Sequence, residues 1–199
     1  MALEPKPNRN ISQFKSKLIG GGARPNLFEV EFTTLPTNVV SNWDAEIFSF
    51  MCKAANLPAQ NIASIDIPFR GRIFKVAGDR TIDPWTVTII NDENFNLRNA
   101  FEEWTDLIAK LENNMGATDP EAYMVNAKVY QLGRGSTPNS KSNSGTANSV
   151  LKEYEFYNIW PSTVAAIDLS YDSTDSIEDF TVDFQVQSYK FNGAGGSNG

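Results

Sequence analysis

The sequence predicts a mainly β fold, an antiparallel β-barrel or sandwich with one flanking amphipathic α-helix. Three observations carry that reading. Apolar and polar residues alternate over several separate stretches, one stretch alone has helical spacing, and segments rich in Gly, Asn, Ser and Pro punctuate the chain. The 199 residues amount to one domain's length, and a hydrophobic content of 41% supplies a core.

Taken in order, residues 1–22 read as a flexible arm ending in Gly20-Gly21-Gly22, followed by a single β domain over 23–191 and a flexible Gly-rich tail over 192–199. In Leu27 to Thr34, Phe28, Val30 and Phe32 alternate with Glu29 and Glu31, which predicts a half-buried strand. In Glu46 to Ala54, Phe48, Phe50, Cys52 and Ala54 would share one strand face. Residues 72–77 form a further strand candidate, with Gly78-Asp79 read as a turn. Trp85, Val87 and Ile89 alternate with Thr86 and Thr88. From Asp92 to Asn113 the period changes: Leu97, Phe101, Trp104, Ile108 and Leu111 form a helical stripe, with Asn91 or Asp92 as N-cap and Glu93 in the first turn. This helix packs on the β core, and Trp85, Phe101 and Trp104 are core residues. Strands are expected again at 122–132, 150–159 and 164–170, separated by a polar loop at 133–149. The last strand alternates Phe180, Val182, Phe184 and Val186 with Thr181, Asp183, Gln185 and Gln187.

Composition narrows the function. The chain has no histidine and one cysteine, Cys52, so His-based triads, His-ligated metals, multi-thiolate metal sites and intramolecular disulfides are excluded. No nucleophile sits in an activating constellation, and the expectation is a structural or binding protein rather than an enzyme, with no cofactor and no metal. No apolar stretch approaches the ~20 residues that span a bilayer, and the opening MALEPKPNRN has proline and charge where a signal peptide is apolar. The expectation is a soluble protein made in the cytoplasm, without membrane insertion, for which the sequon Asn10-Ile11-Ser12 has no meaning.

Charge is unevenly distributed around a net −7. Basic residues gather at Lys6 to Arg24 and at Arg70, Arg72, Lys75 and Arg80, whereas Glu153 to Asp183 is acidic without a Lys or Arg. Such polarity suits head-to-tail association of copies and also an ordinary solvated surface. The basic run 70–80 flanks Phe74 and is the best nucleic-acid candidate, but the acidic chain disfavours duplex binding. Arg72 and Arg80 are better read as partners of carboxylates in the same or a neighbouring subunit. The loop 133–149 lacks the Gly-Lys pair of a phosphate-binding loop, and Asp172 to Asp179 lacks the central glycine of a calcium loop.

Four ordered segments go beyond composition: ARPNLFEVEF at 23–32, CKAANLP at 52–58, IPFRGRIFKVAGDRTIDPWTVTIINDENFNLRNAFEEW at 67–104, and NIWPSTV at 158–164. They closely resemble the tail tube proteins of T4-like contractile-tailed bacteriophages, from about Ala23 to Tyr189. The loop 133–149, the arm and the tail depart from that pattern. The resemblance implies a fold shared with type VI secretion tubes. It also implies six copies per ring, and rings stacked into a hollow tube inside a contractile sheath. A tape-measure protein and later the genome would occupy the lumen, baseplate tube proteins would start the tube, and the virion would be its final location after assembly in the host cytoplasm. Strands of neighbouring subunits would close a large inner barrel. Four strands from each of six copies, at ~4.8 Å spacing and a tilt near ~40°, give a circumference of roughly 150 Å, wide enough for duplex DNA.

Within that picture, Arg70, Gly71, Arg72, Gly78, Asp79 and Arg80 are the expected subunit or ring contacts. Glu29, Glu31 and Asp183 are candidates for an acidic lumen that repels phosphate. Alternation leaves two surfaces open to these acids, the lumen wall and the outside of the tube. Two alternatives share part of the pattern: a tube or tube-initiating protein of a phage-tail-like injection particle, and a monomeric β-barrel that binds a small ligand.

Overall fold

The computed structural model describes residues 10–18, 22–32, 35–36, 43–133 and 150–193. The loop predicted at 133–149 therefore lies outside the described residues except for Gly133, as do the tail from 194 and most of the arm's glycines. In chain order the elements are α1 (Ile11–Lys17), β1 (Phe28–Phe32), α2 (Ala45–Met51), β2 (Cys52–Ala55), β3 (Gln60–Phe69), β4 (Arg72–Ile82), β5 (Trp85–Ile90), α3 (Asn96–Ile108), β6 (Val125–Leu132), β7 (Val150–Val164), β8 (Asp179–Gln185) and β9 (Ser188–Gly193). Mainly antiparallel β with one long flanking helix is what the sequence predicts.

Two compact units are distinguishable. The larger comprises Glu29–Val129 and Tyr154–Phe191. The smaller comprises Met1–Phe28, Tyr130–Glu153 and Asn192–Gly199. Within the smaller unit, α1 begins with a capping box in which Asn10 and Gln13 bond each other's backbone N–H groups. Leu132 N donates to Leu27 O at 2.8 Å, and Gln131 Nε2 donates to Leu27 O at 2.6 Å.

The strands of the main sheet run in the order β1-β6-β7-β8-β5-β2, with β9 paired to β7. Antiparallel registers place Trp85 opposite Phe184, Val87 opposite Val182 and Ile89 opposite Phe180. These side chains share one face and are buried, while Thr86, Thr88, Thr181 and Asp183 fall on the other. On the buried face the ring of Trp85 stacks on Phe156 with centroids 4.8 Å apart. Phe32, from β1, lies within 6.5 Å of the rings of Trp43, Phe48, Trp85, Phe101, Trp104 and Phe184. Aromatic area of this size is the main source of stability in the larger unit.

The helix α3 covers that face through Leu97, Ala100, Phe101 and Trp104, all buried. Trp104 Nε1 donates to Tyr123 O at 2.8 Å, which satisfies its one polar group. The helix is shorter than the predicted 92–113. The N-cap position is held by a left-handed Phe95 rather than by Asn91 or Asp92, although the Asp92 carboxylate accepts from the N–H groups of Asn96 and Leu97 at 3.1 Å each, so Glu93 precedes the helix. At the other end the chain turns back and Ala117 N donates to Leu107 O at 2.9 Å. Leu111, predicted on the stripe, is consequently 93% exposed.

Three further expectations are corrected. Residues 46–54 do not form one strand: Asp44 Oδ1 accepts from Glu46 N and Ile47 N, which starts α2, and strand geometry begins only at Cys52. Phe48 and Phe50 then lie about 200° apart around the helix, the first fully buried and the second 78% exposed. The candidate at 122–132 begins at Val125, because Pro120–Ala122 forms a 3-10 turn capped by Asp119. The separate strands at 150–159 and 164–170 are a single strand ending at Val164. Beyond it the carbonyl of Ala165 is taken by Arg98 Nη1 at 2.6 Å rather than by a neighbouring strand.

The burial pattern separates two residues of the predicted stripe. Trp104→Ala is expected to cost about 3–5 kcal/mol, and Leu111→Ala less than about 0.5 kcal/mol, both read from urea unfolding.

Candidate assembly surface

The hairpin β3–β4 is built differently from the rest of the larger unit. Its strands pair only with each other, forming a two-stranded sheet outside the main one. Its base is fixed by Asp83 N donating to Ala59 O at 3.2 Å and Asn61 Nδ2 donating to Asp83 Oδ1 at 2.9 Å. Gln60 Nε2 also bonds the hydroxyl of Tyr189.

At the tip Phe69 pairs with Arg72, leaving Arg70-Gly71 as a two-residue turn with φ of 48° and 81°. Two successive left-handed residues make a type I′ turn, whose first position ordinarily holds Asn, Asp or Gly. A Cβ on Gly71 would meet nothing within 4 Å, so backbone conformation alone demands the glycine. Arg70 occupies the first position against that preference, and a local rule broken at an exposed tip points to a role for the side chain itself.

The turn expected at Gly78-Asp79 is therefore corrected. Ile62 pairs with Arg80 and Ser64 with Ala77, so Gly78 and Asp79 together stand against Ala63 as a β-bulge within β4. A Cβ on Gly78 would lie 3.1 Å from Ile65 Cγ1 and 3.2 Å from Ala63 O. Close approach of the partner strand, not chain reversal, explains that glycine.

Cross-strand partners share a face. Ile65 with Val76, Ile67 with Phe74, and Phe69 with Arg72 form one side of the ribbon. The opposite side carries Ser64 with Ala77, Pro68 with Ile73, and Asp66 with Lys75, whose charges are 3.4 Å apart. The first side is apolar and open to solvent: Ile65 is 54% exposed, Ile67 46%, Phe69 65%, Phe74 64% and Val76 39%. Contiguous apolar surface of this kind marks a site of association. Sequence reading took in Phe74 but missed β3. Its signal was the run Ile65, Ile67, Phe69, obscured by Ile62 and Pro68 on the other phase.

The cations lie at the tip and base of this ribbon. Arg70 lies over the Phe69 ring, 5.4 Å from its centroid. Among the described residues, Arg70, Arg72 and Arg80 make no ion pair. The candidate lumen acids are elsewhere. Glu29 and Glu31 are exposed on β1, opposite buried Val30 and Phe32. Asp183 is half-buried on β8 and accepts from Thr86 Oγ1 at 2.7 Å. Two strands separate β1 from β8, so these acids are spread over about 14 Å of the face turned away from the core rather than clustered. Two lysines there are matched by acids, Lys53 by Asp179 and Lys128 by Glu155.

Among the described residues no group of three or more His, Cys, Asp or Glu is placed to hold a metal ion. Burial pushes the Cys52 thiol up to about 12, which keeps it protonated and unreactive. No helix among the described residues is long and apolar enough to cross a membrane.

Two predictions follow from these local features. Arg70→Asn suits the turn better and is expected to leave or raise the unfolding temperature, with slower amide exchange at Ile67 to Phe74. Because the folded state holds the Cys52 proton while an unfolded thiol loses it near pH 9, stability falls as pH rises from 9 toward 12. The decline should be shallower in Cys52→Ala, as measured by thermal unfolding across that range.

Residues 23–192 match the family described as phage tail tube protein. The tail tube protein gp19 of Enterobacteria phage T4 is 37% identical over 163 residues, covering 82% of this chain and 88% of that protein. Among solved structures, the tube-terminating cap of the anti-feeding prophage superposes with a TM-score of 0.57 at 14% identity, covering 87% of this chain and 92% of that one. The sheath–tube complex of an extracellular contractile injection system gives 0.50 at 12% identity, covering 94% of this chain and all of that one. The structural likenesses extend the fold across injection systems. The family match and the phage relative, each spanning most of the sequence, establish that this chain belongs to the phage tail tube protein family.

Proposed function

We propose that the chain is the repeating subunit of a virion tail tube. Six copies close a ring, and rings stack into a hollow conduit for DNA inside a contractile sheath. The single observation that carries the assembly reading is the apolar face of the β3–β4 ribbon, exposed in the isolated chain. Burying Ile65, Ile67, Phe69, Phe74 and Val76 against another copy would contribute roughly 25 cal/mol per Å² removed from water. Arg70 and Arg72 at the tip, and Arg80 beyond the bulge, supply directional partners for carboxylates of that copy.

The polar face of the main sheet supports the conduit reading. Its edge strands, β1 and β2, offer unpaired backbone groups, and pairing them between neighbours would close the inner barrel and remove exposed edges. Glu29, Glu31 and Asp183 would then face the lumen. Since Lys53 and Lys128 on that face are matched by acids, the wall would present net negative charge, and phosphates would be repelled rather than bound. Sheath protein, baseplate tube proteins and a tape-measure protein are the partners such a tube requires. A tube or terminator of a genome-free injection particle rests on the same assembly physics, and the likeness of fold to the anti-feeding prophage cap favours it as the second reading.

Electron microscopy of the concentrated protein, with and without a baseplate seed, is expected to show stacked rings with a central channel. Phe74→Asp should lose the stacks while its unfolding free energy changes by less than about 0.5 kcal/mol, because the side chain is on the surface of the free subunit. Monomers alone under both conditions for the unaltered chain would overturn the tube reading.

A further inference from the structure

The tip cations and apolar ribbon need a complementary surface, and the larger unit carries one. The chain enters β5 at Trp85 directly from the hairpin base and leaves it at Ile90 toward Asn91. Asn91 N donates to Glu178 O at 2.9 Å, and Asn91 Nδ2 donates to Glu178 Oε2 at 2.8 Å. The segment 165–178, between β7 and β8, is thereby held at the opposite end of β5 from the hairpin. Six residues of strand put about 20 Å between the two ends.

That segment is both acidic and apolar. Asp168, Asp172 and Asp175 are exposed and make no ion pair among the described residues. Beside them Leu169 is 85% exposed, Ile177 77%, and Tyr171 fully exposed. Asp168, Leu169 and Ile177 line, with Glu178, an open cleft of about 510 Å³, and Tyr171, Asp172 and Asp175 belong to the same segment outside its walls. Exposed apolar side chains interleaved with unpaired carboxylates mirror the ribbon, where exposed apolar side chains accompany unpaired arginines. Opposite charges at opposite ends of one strand define a head and a tail, and a head-to-tail contact propagates along an axis instead of closing on itself. The hairpin, about 30 Å long at strand rise, is long enough to overlap the end of a neighbouring copy.

We propose that the cleft of segment 165–178 receives the β3–β4 hairpin tip of a second copy of this chain in the adjacent ring. The inference rests on the tube reading and adds its acceptor. Arg70 and Arg72 meet Asp168 and Asp172, and Phe69 and Phe74 cover Leu169 and Ile177. Glu178 is excluded from the charge contact because it holds Asn91.

The test is a charge exchange in the full chain, with pelleted tube mass and micrographs as readouts and unfolding temperature as the control for folding. Arg70→Glu with Arg72→Glu, and separately Asp168→Lys with Asp172→Lys, are each expected to reduce tube mass at least about tenfold, since like charges brought together at an interface cost several kcal/mol. Combining all four restores opposite charges and is expected to recover most of the tube. As a second measurement independent of electrostatics, Arg72→Cys with Asp172→Cys should form disulfide-linked ladders longer than one ring on mild oxidation of assembled tubes. Undiminished tubes from the Asp168→Lys, Asp172→Lys protein, or tubes that yield no ladder, would overturn the acceptor and leave the tube reading intact. Failure of the unaltered chain to form tubes, seeded or not, would overturn both.

Discussion

A sheet has two faces, and here only one can be covered from within the chain. The buried face of the main sheet is filled by aromatic rings from β1, β5, β7 and β8 and sealed by α3, with Phe32 at the centre of the rings. Among the described residues no sheet or helix covers the opposite face, which carries Thr86, Thr88, Thr181, Asp183 and the ion pairs of Lys53 and Lys128, side chains that tolerate water. The hairpin β3–β4 has the reverse condition: it carries an apolar side that nothing among the described residues covers. One face that tolerates water and one ribbon that does not are together the requirements of a hollow, self-assembling wall.

Much of this arrangement was legible in the sequence because alternation reports burial directly. Trp85, Val87 and Ile89, and Phe180, Val182 and Phe184, form facing strands as their pattern implies. Reading failed where a local capping signal competed with alternation. Asp44 and Glu46 turn 45–51 into a helix although every second residue from Phe48 is apolar or small, and a strong N-cap outweighed the period. The end of α3 was overextended because Leu111 fits the stripe, while the return of the chain to Leu107 is a tertiary hydrogen bond that spacing does not encode.

The hairpin was half legible. Arginines and glycines at 70–80 pointed to a hairpin, but the turn expected at Gly78-Asp79 is at Arg70-Gly71, and Gly78-Asp79 forms a bulge. The apolar side of β3 was passed over because Ile62 and Pro68, on the other side of the strand, obscure the alternation of Ile65, Ile67 and Phe69. The acidic character of 153–183 was evident from composition, whereas the placement of 165–178 at the far end of β5 from the hairpin is a property of topology. Adjacent residues in sequence could not show that basic and acidic segments sit at opposite ends of one strand.

The central claim is that the apolar side of the hairpin is exposed in the free subunit and covered by another copy in the tube. Hydroxyl-radical footprinting of the two states measures that side-chain exposure directly. The account predicts that oxidation at Phe69 and Phe74 falls strongly on assembly while Phe50, away from the hairpin on α2, supplies an internal comparison. Equal labelling of Phe69 and Phe74 in free subunits and in tubes would contradict it.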